Sequence, residues 1–171
     1  MPHGRPLVGL SWRSSLTTFS RLEHYLTIQD LAPILAMDNL QFVNLQYDDC
    51  AEELAWAEAH FPGQLINLSE IDQYNDFESV GALMACLDLI VAPATTVVEL
   101  AGAFGFPTWM MGLSSEVHWR NGSGDGRDVW FGSISHLEGE ELGSEESLIA
   151  ELKRRLQQTF SPAEAPLAQS G

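Results

Sequence analysis

The chain has 171 residues, 45% of them apolar, 9% aromatic and 19% charged. That is enough for a single domain burying roughly two-thirds of its unfolded surface, without disulfide or metal staples. Eight Lys and Arg against 24 Asp and Glu leave a net charge of −16, which argues against nucleic acid or an anionic membrane, both held by basic side chains.

From the N-terminus, Leu7–Ser11 is a short apolar run that predicts a strand. A helix is expected over Thr27–Met37, where Ile28, Leu31 and Leu35 make one apolar face, although Pro33 weakens it. Gln41–Gln46 predicts a second strand and Ala51–His60 a helix. Gln64–Asn67 predicts a third strand, followed by a helix over Phe77–Leu87 capped by Asn75 or Asp76. Asp88–Ala92 and Pro107–Met111 are further strands, flanking a helix over Thr96–Phe104 that Gly105 stops. Ser114–Asp128, with Gly122, Gly124 and Gly126, reads as a long mobile loop, and a sixth strand is expected around Val129–Ser133. The last helix spans Glu145–Thr159, with Ser144 as its cap, Glu145 and Glu146 at its positive end and Lys153, Arg154 and Arg155 towards its negative end. The acidic stretch Glu138–Glu146 reads as a solvated face.

Strands alternating with helices imply an α/β fold, a doubly wound parallel sheet of five or six strands with helices on both faces. The domain is expected over 1–160, with a disordered tail over 161–171. No apolar run approaches the ~18 residues of a membrane span. No signal peptide is apparent, so the expected compartment is the cytoplasm. A strand beginning as early as Leu7 hints at a piece of a longer protein. The two cysteines, Cys50 and Cys86, form no disulfide framework and are expected as small buried thiols.

In such a sheet, ligands bind beyond the carboxyl ends of the strands, where strand order reverses. Two loops are candidates. Pro93-Ala94-Thr95-Thr96 leads straight into a helix, whose N–H groups and two threonine hydroxyls can receive a phosphate; a plain helix cap is the competing role for either threonine. Glu99, one turn on, can accept hydrogen bonds from the two hydroxyls of a ribose or serve as a favourable first-turn charge. In the loop after the first strand, Arg13 can pair with a phosphate or lie idle at the surface. Gln46 and Tyr47 can contact a base or form a turn, and Asp76 can cap its helix or meet a ligand. His118-Trp119-Arg120 can fold over a ligand or remain a mobile surface segment. The five histidines show no metal spacing, and the signatures of nicotinamide enzymes, P-loop NTPases and nucleophile-elbow hydrolases are absent.

Taken together, Leu7–Ser14, Phe42–Asp49, Ile71–Phe77 and above all Val91–Trp109 resemble the donor-binding half of GT-B glycosyltransferases. The likeness covers about Leu7 to Trp119. It is similar to bacterial tetratricopeptide-repeat proteins with a C-terminal region related to heptosyltransferases and the O-GlcNAc transferase group. The resemblance implies a Rossmann-like half that takes a nucleotide-sugar donor as substrate, with no cofactor and no metal, and no DxD motif occurs. It implies that Thr95 and Thr96 receive the diphosphate, Glu99 holds the ribose and Arg13 faces the phosphates. Gln46 and Tyr47 then lie near the base and Asp76 near the donor cleft. Two departures stand out: Ala94 occupies the place of a histidine, and the N-terminal half that supplies the catalytic base has no counterpart in 171 residues. The chain is therefore expected to bind a nucleotide weakly and to be inactive alone. The alternative is a catalytically inactive Rossmann-like interaction module.

Overall fold

The computed structural model describes residues 4–14, 26–112, 120, 126–137 and 144–161. Among these described residues six strands form one sheet: β1 Leu7–Leu10, β2 Gln41–Asn44, β3 Leu65–Ile66, β4 Leu89–Pro93, β5 Thr108–Met111 and β6 Ile134–Leu137. Their order is β3-β2-β1-β4-β5-β6, and every pairing is parallel. The chain winds outward from β1 to β3, crosses back to β4 and winds out the other way. This is the doubly wound, Rossmann-like arrangement the alternating pattern predicts.

Side chains alternate across the sheet. On one face, Leu89 and Val91 of β4 join Val8, Leu10 and Phe42 beneath α1 (Ala32–Leu35), α2 (Ala51–His60) and α5 (Glu145–Thr159). On the other, Ile90 and Ala92 join Met110 and Ile134 beneath α3 (Phe77–Met84) and α4 (Thr96–Phe104). All five residues of β4 are buried, as a strand covered on both faces requires. Gly9 in β1 is needed for the close fit: a Cβ there would lie 2.6 Å from Leu45 Cδ1 and 2.7 Å from Leu87 Cδ1.

Four expectations are corrected. The helix expected over Thr27–Met37 shrinks to four residues, because Pro33 sits in its first turn, where proline is tolerated. Before it, the Asp30 carboxylate accepts from the Thr27 N–H and hydroxyl, both at 2.7 Å, and closes a separate turn. The sixth strand lies at Ile134–Leu137 rather than around Val129–Ser133, since Asp128 Oδ1 takes the N–H groups of Trp130 (2.9 Å) and Phe131 (3.1 Å) into a turn. Cys86 is exposed, just past the end of α3, while Cys50 is buried as expected. The α5 basic residues lie short of its last turn; Arg154 and Arg155 both bind Glu151 instead.

The remaining ends follow the predicted chemistry. Asp76 caps α3 by accepting the Ser79 N–H at 3.0 Å, and Ser144 forms a capping box on α5 with Ser147. Gly105 closes α4 at φ 77°, a left-handed conformation that suits glycine. His118, Trp119, most of the loop from Ser114, residues 138–143 of the acidic stretch and the tail from 162 lie outside the described residues.

Candidate functional site

β1 and β4 are neighbours where the strand order reverses, and a cavity of about 540 Å³ opens beyond their carboxyl ends. The β4–α4 turn and first turns of α4 supply Thr95, Thr96 and Glu99. Tyr47, Tyr74 and Phe77 supply an aromatic wall, and Ser14 comes from the loop after β1. Four of the sequence candidates are thus brought together: Tyr47, Thr95, Thr96 and Glu99.

Thr95 holds the N-cap position of α4 with extended backbone, φ −131° and ψ 179°. Such a threonine ordinarily accepts a hydrogen bond from the second or third N–H of its helix. Here it makes no cap bond: Oγ1 is buried and has no hydrogen-bond partner among the described residues, in a residue only 8% exposed. A buried hydroxyl left unpaired costs about 1–3 kcal/mol. The first backbone bond of the helix runs from the Val98 N–H to Thr95 O, at 3.0 Å. The N–H groups of Thr96 and Val97 precede it and face the positive end of the helix dipole. Thr96 is exposed at the rim.

Glu99 is tied to Arg120 by an ion pair to the guanidinium Nη1. Arg120 is 4% exposed, and its Nε donates to Asp128 Oδ2 at 2.8 Å. Asp128 Oδ2 also meets His136 Nε2 at 3.2 Å. Burial works against the Asp128 carboxylate, but the bonds from Arg120, Trp130, His136 and Phe131 outweigh it and hold the group below its ordinary value. Among the described residues, Arg120 Nη2 has no hydrogen-bond partner. The guanidinium also lies 5.1 Å from the Trp130 ring centroid, a cation–π contact. Arg120 is therefore a buried anchor, not the surface residue of a mobile loop.

The loop after β1 is organised differently. The Arg13 guanidinium meets Glu53 and Asp48, its Nε 3.1 Å from Asp48 Oδ2, and does not line the cavity. Burial opposes its charge, yet Glu53 and Asp48 more than compensate and raise it above its usual value. Gln46 is 3% exposed and bridges the loop: Oε1 accepts from Ser11 Oγ (3.1 Å), Trp12 N (2.9 Å) and Arg13 N (3.2 Å). Its Nε2 donates to Arg13 O at 3.0 Å and Asp48 Oδ1 at 2.8 Å. Gln46 and Asp76 both stand outside the cavity lining, the first holding its loop and the second capping α3.

Phe77 was missed as a site residue, while Tyr74, beside the α3 cap, and Arg120, in a segment expected to fold over a ligand or stay mobile, were not singled out. Tyr74 is 62% exposed, its ring centroid 6.2 Å from that of Tyr47. The one signal in the sequence is a pair of aromatics flanking a helix cap, Tyr74 and Phe77 around Asp76. Among the described residues no group of three or more His, Cys, Asp or Glu can hold a metal ion, and no helix is long and apolar enough to cross a membrane.

Over 111 residues the chain is 36% identical to Protein FlbA of Caulobacter vibrioides. That stretch is 64% of this chain and 19% of FlbA, so the likeness covers about a fifth of the longer protein. No protein-family model matches the chain. No solved structure matches it either.

Proposed function

We propose that the chain is the nucleotide-sugar donor-binding half of a metal-independent glycosyltransferase, inactive until an N-terminal half completes it. The carrying observation is the buried, unpartnered Thr95 hydroxyl, set in a cavity at the start of α4 where the strand order reverses. A diphosphate oxygen there accepts from the hydroxyl and from the free N–H groups of the first turn, as anions do at helix starts. The same donors stabilise the negative charge that develops as the diphosphate departs. Glu99 takes the ribose, and Tyr47, Tyr74 and Phe77 offer flat apolar faces to the base. The resemblance of Val91–Trp109 to GT-B donor sites supports this assignment. A match that covers 19% of FlbA is compatible with a half that works within a longer chain.

A second reading, an interaction module without catalysis, is favoured by the cavity's charge. Glu99 is the charged residue of its described lining, and Arg13 is engaged elsewhere. Calorimetric titration with UDP, GDP and ADP separates the two. Donor binding predicts that one of them binds more tightly than millimolar and that Thr95→Val weakens it. If none of the three binds, the interaction module stands.

A further inference from the structure

Glu99 carries two oxygens, and the ion pair to Arg120 occupies Oε1. Oε2 has no hydrogen-bond partner among the described residues, and the side chain remains 43% exposed at the cavity wall. A free glutamate side chain samples several rotamers, so it offers a ribose poorly aligned acceptors. Here the carboxylate is gripped from behind. Arg120 is in turn pinned at Nε by Asp128, which two backbone N–H groups and His136 of β6 hold in place. A planar guanidinium suits this bridge, because its rigid fork serves two carboxylates at a fixed angle.

We propose that Arg120 is a positioning residue that fixes the Glu99 carboxylate so that it reads the hydroxyls of a donor ribose. This rests on the donor-site reading above. It adds that ribose recognition is set by a residue outside the cavity, through a chain running Asp128, Arg120, Glu99.

The test uses the 171-residue chain and whichever of UDP, GDP and ADP binds best, with its 2′-deoxy counterpart. The ratio of the two affinities is the readout, since a purely structural role moves both nucleotides equally. The wild type is expected to prefer the ribonucleotide by about tenfold, the scale of one hydrogen bond to a charged group. Arg120→Lys keeps a charge beside Asp128 but loses the fork, and is expected to remove most of that preference. Glu99→Gln should also reduce it, and adding Arg120→Lys to Glu99→Gln should change the ratio no further, as coupled residues require. Should the lysine variant fail to fold, Trp130→Leu loosens Arg120 from an exposed ring and should lower the preference about threefold, by the scale of a cation–π contact. The proposal is overturned if nucleotide binds and the ratio survives in Arg120→Lys, or in Trp130→Leu where that variant replaces it. It is overturned equally if Glu99→Gln leaves the ratio intact. Absence of any nucleotide binding overturns the donor site itself, a different failure.

Discussion

The two loops that meet at the reversal point are built on opposite plans. After β1, Gln46 spends both ends of its amide on the loop, and Arg13 is held by two carboxylates. After β4, the Thr95 hydroxyl is buried and has no hydrogen-bond partner among the described residues, and Arg120 Nη2 beyond it is in the same state. Buried polar atoms are ordinarily paired, and the unpaired one in a residue lining the cavity is the observation on which we propose a ligand there. The first loop is a frame. The second is the loop we propose as the donor site.

The strongest way to break this contrast is at the frame. Gln46→Leu leaves the N–H groups of buried Trp12 and half-buried Arg13 without an acceptor, and is expected to destabilise the protein by about 3 kcal/mol, read by urea unfolding. Next comes the anchor behind the site. Asp128 is held below its ordinary value, so the unfolded chain takes up the proton first as pH falls. The stability it contributes is present above about pH 4 and is lost as pH drops through the folded-state value. Asp128→Asn should cost about 2 kcal/mol near neutrality and flatten that acid limb, visible in melting curves taken across pH.

Arg13→Gln sharpens the comparison. It should lower stability by about 1 kcal/mol through the lost ion pairs, yet weaken nucleotide binding less than a change at Thr95 does. Titration of the two variants side by side decides it. The smallest effect concerns the thiols. Burial pushes Cys50 up to about 11, and the residue is enclosed, so a thiol reagent should label exposed Cys86 and leave Cys50 intact until the protein unfolds.

The sheet was legible because its signals are local and periodic. β4 is a continuous apolar run, Gly105 and Pro107 end α4 where no helix can continue, and Ser144 announces α5. The errors fell where a side chain beyond the local pattern decides the backbone. Asp128 draws Trp130 and Phe131 into a turn and delays β6, and no periodicity signals a carboxylate taking two N–H groups. At the site, Thr95, Thr96 and Glu99 were legible as a helix start with one acidic residue a turn later. Arg13 and Gln46 are engaged away from the cavity for one reason: the partners that claim them, Asp48 and Glu53 for Arg13 and Ser11, Trp12 and Arg13 for Gln46, lie 33 to 40 residues away in sequence. The anchoring role of Arg120 was not legible because its partners, Glu99 and Asp128, lie 21 and 8 residues away across a segment without periodicity.

Thr95→Val tests the central claim in one experiment, thermal unfolding with and without the best-binding nucleoside diphosphate. Valine keeps the shape and removes the unpaired hydroxyl, so the free protein should melt at the same temperature or higher, gaining up to about 1 kcal/mol, while the rise caused by nucleotide shrinks. A variant that melts lower and keeps the full nucleotide-induced rise would show that the hydroxyl serves the fold, and that this cavity is no phosphate site.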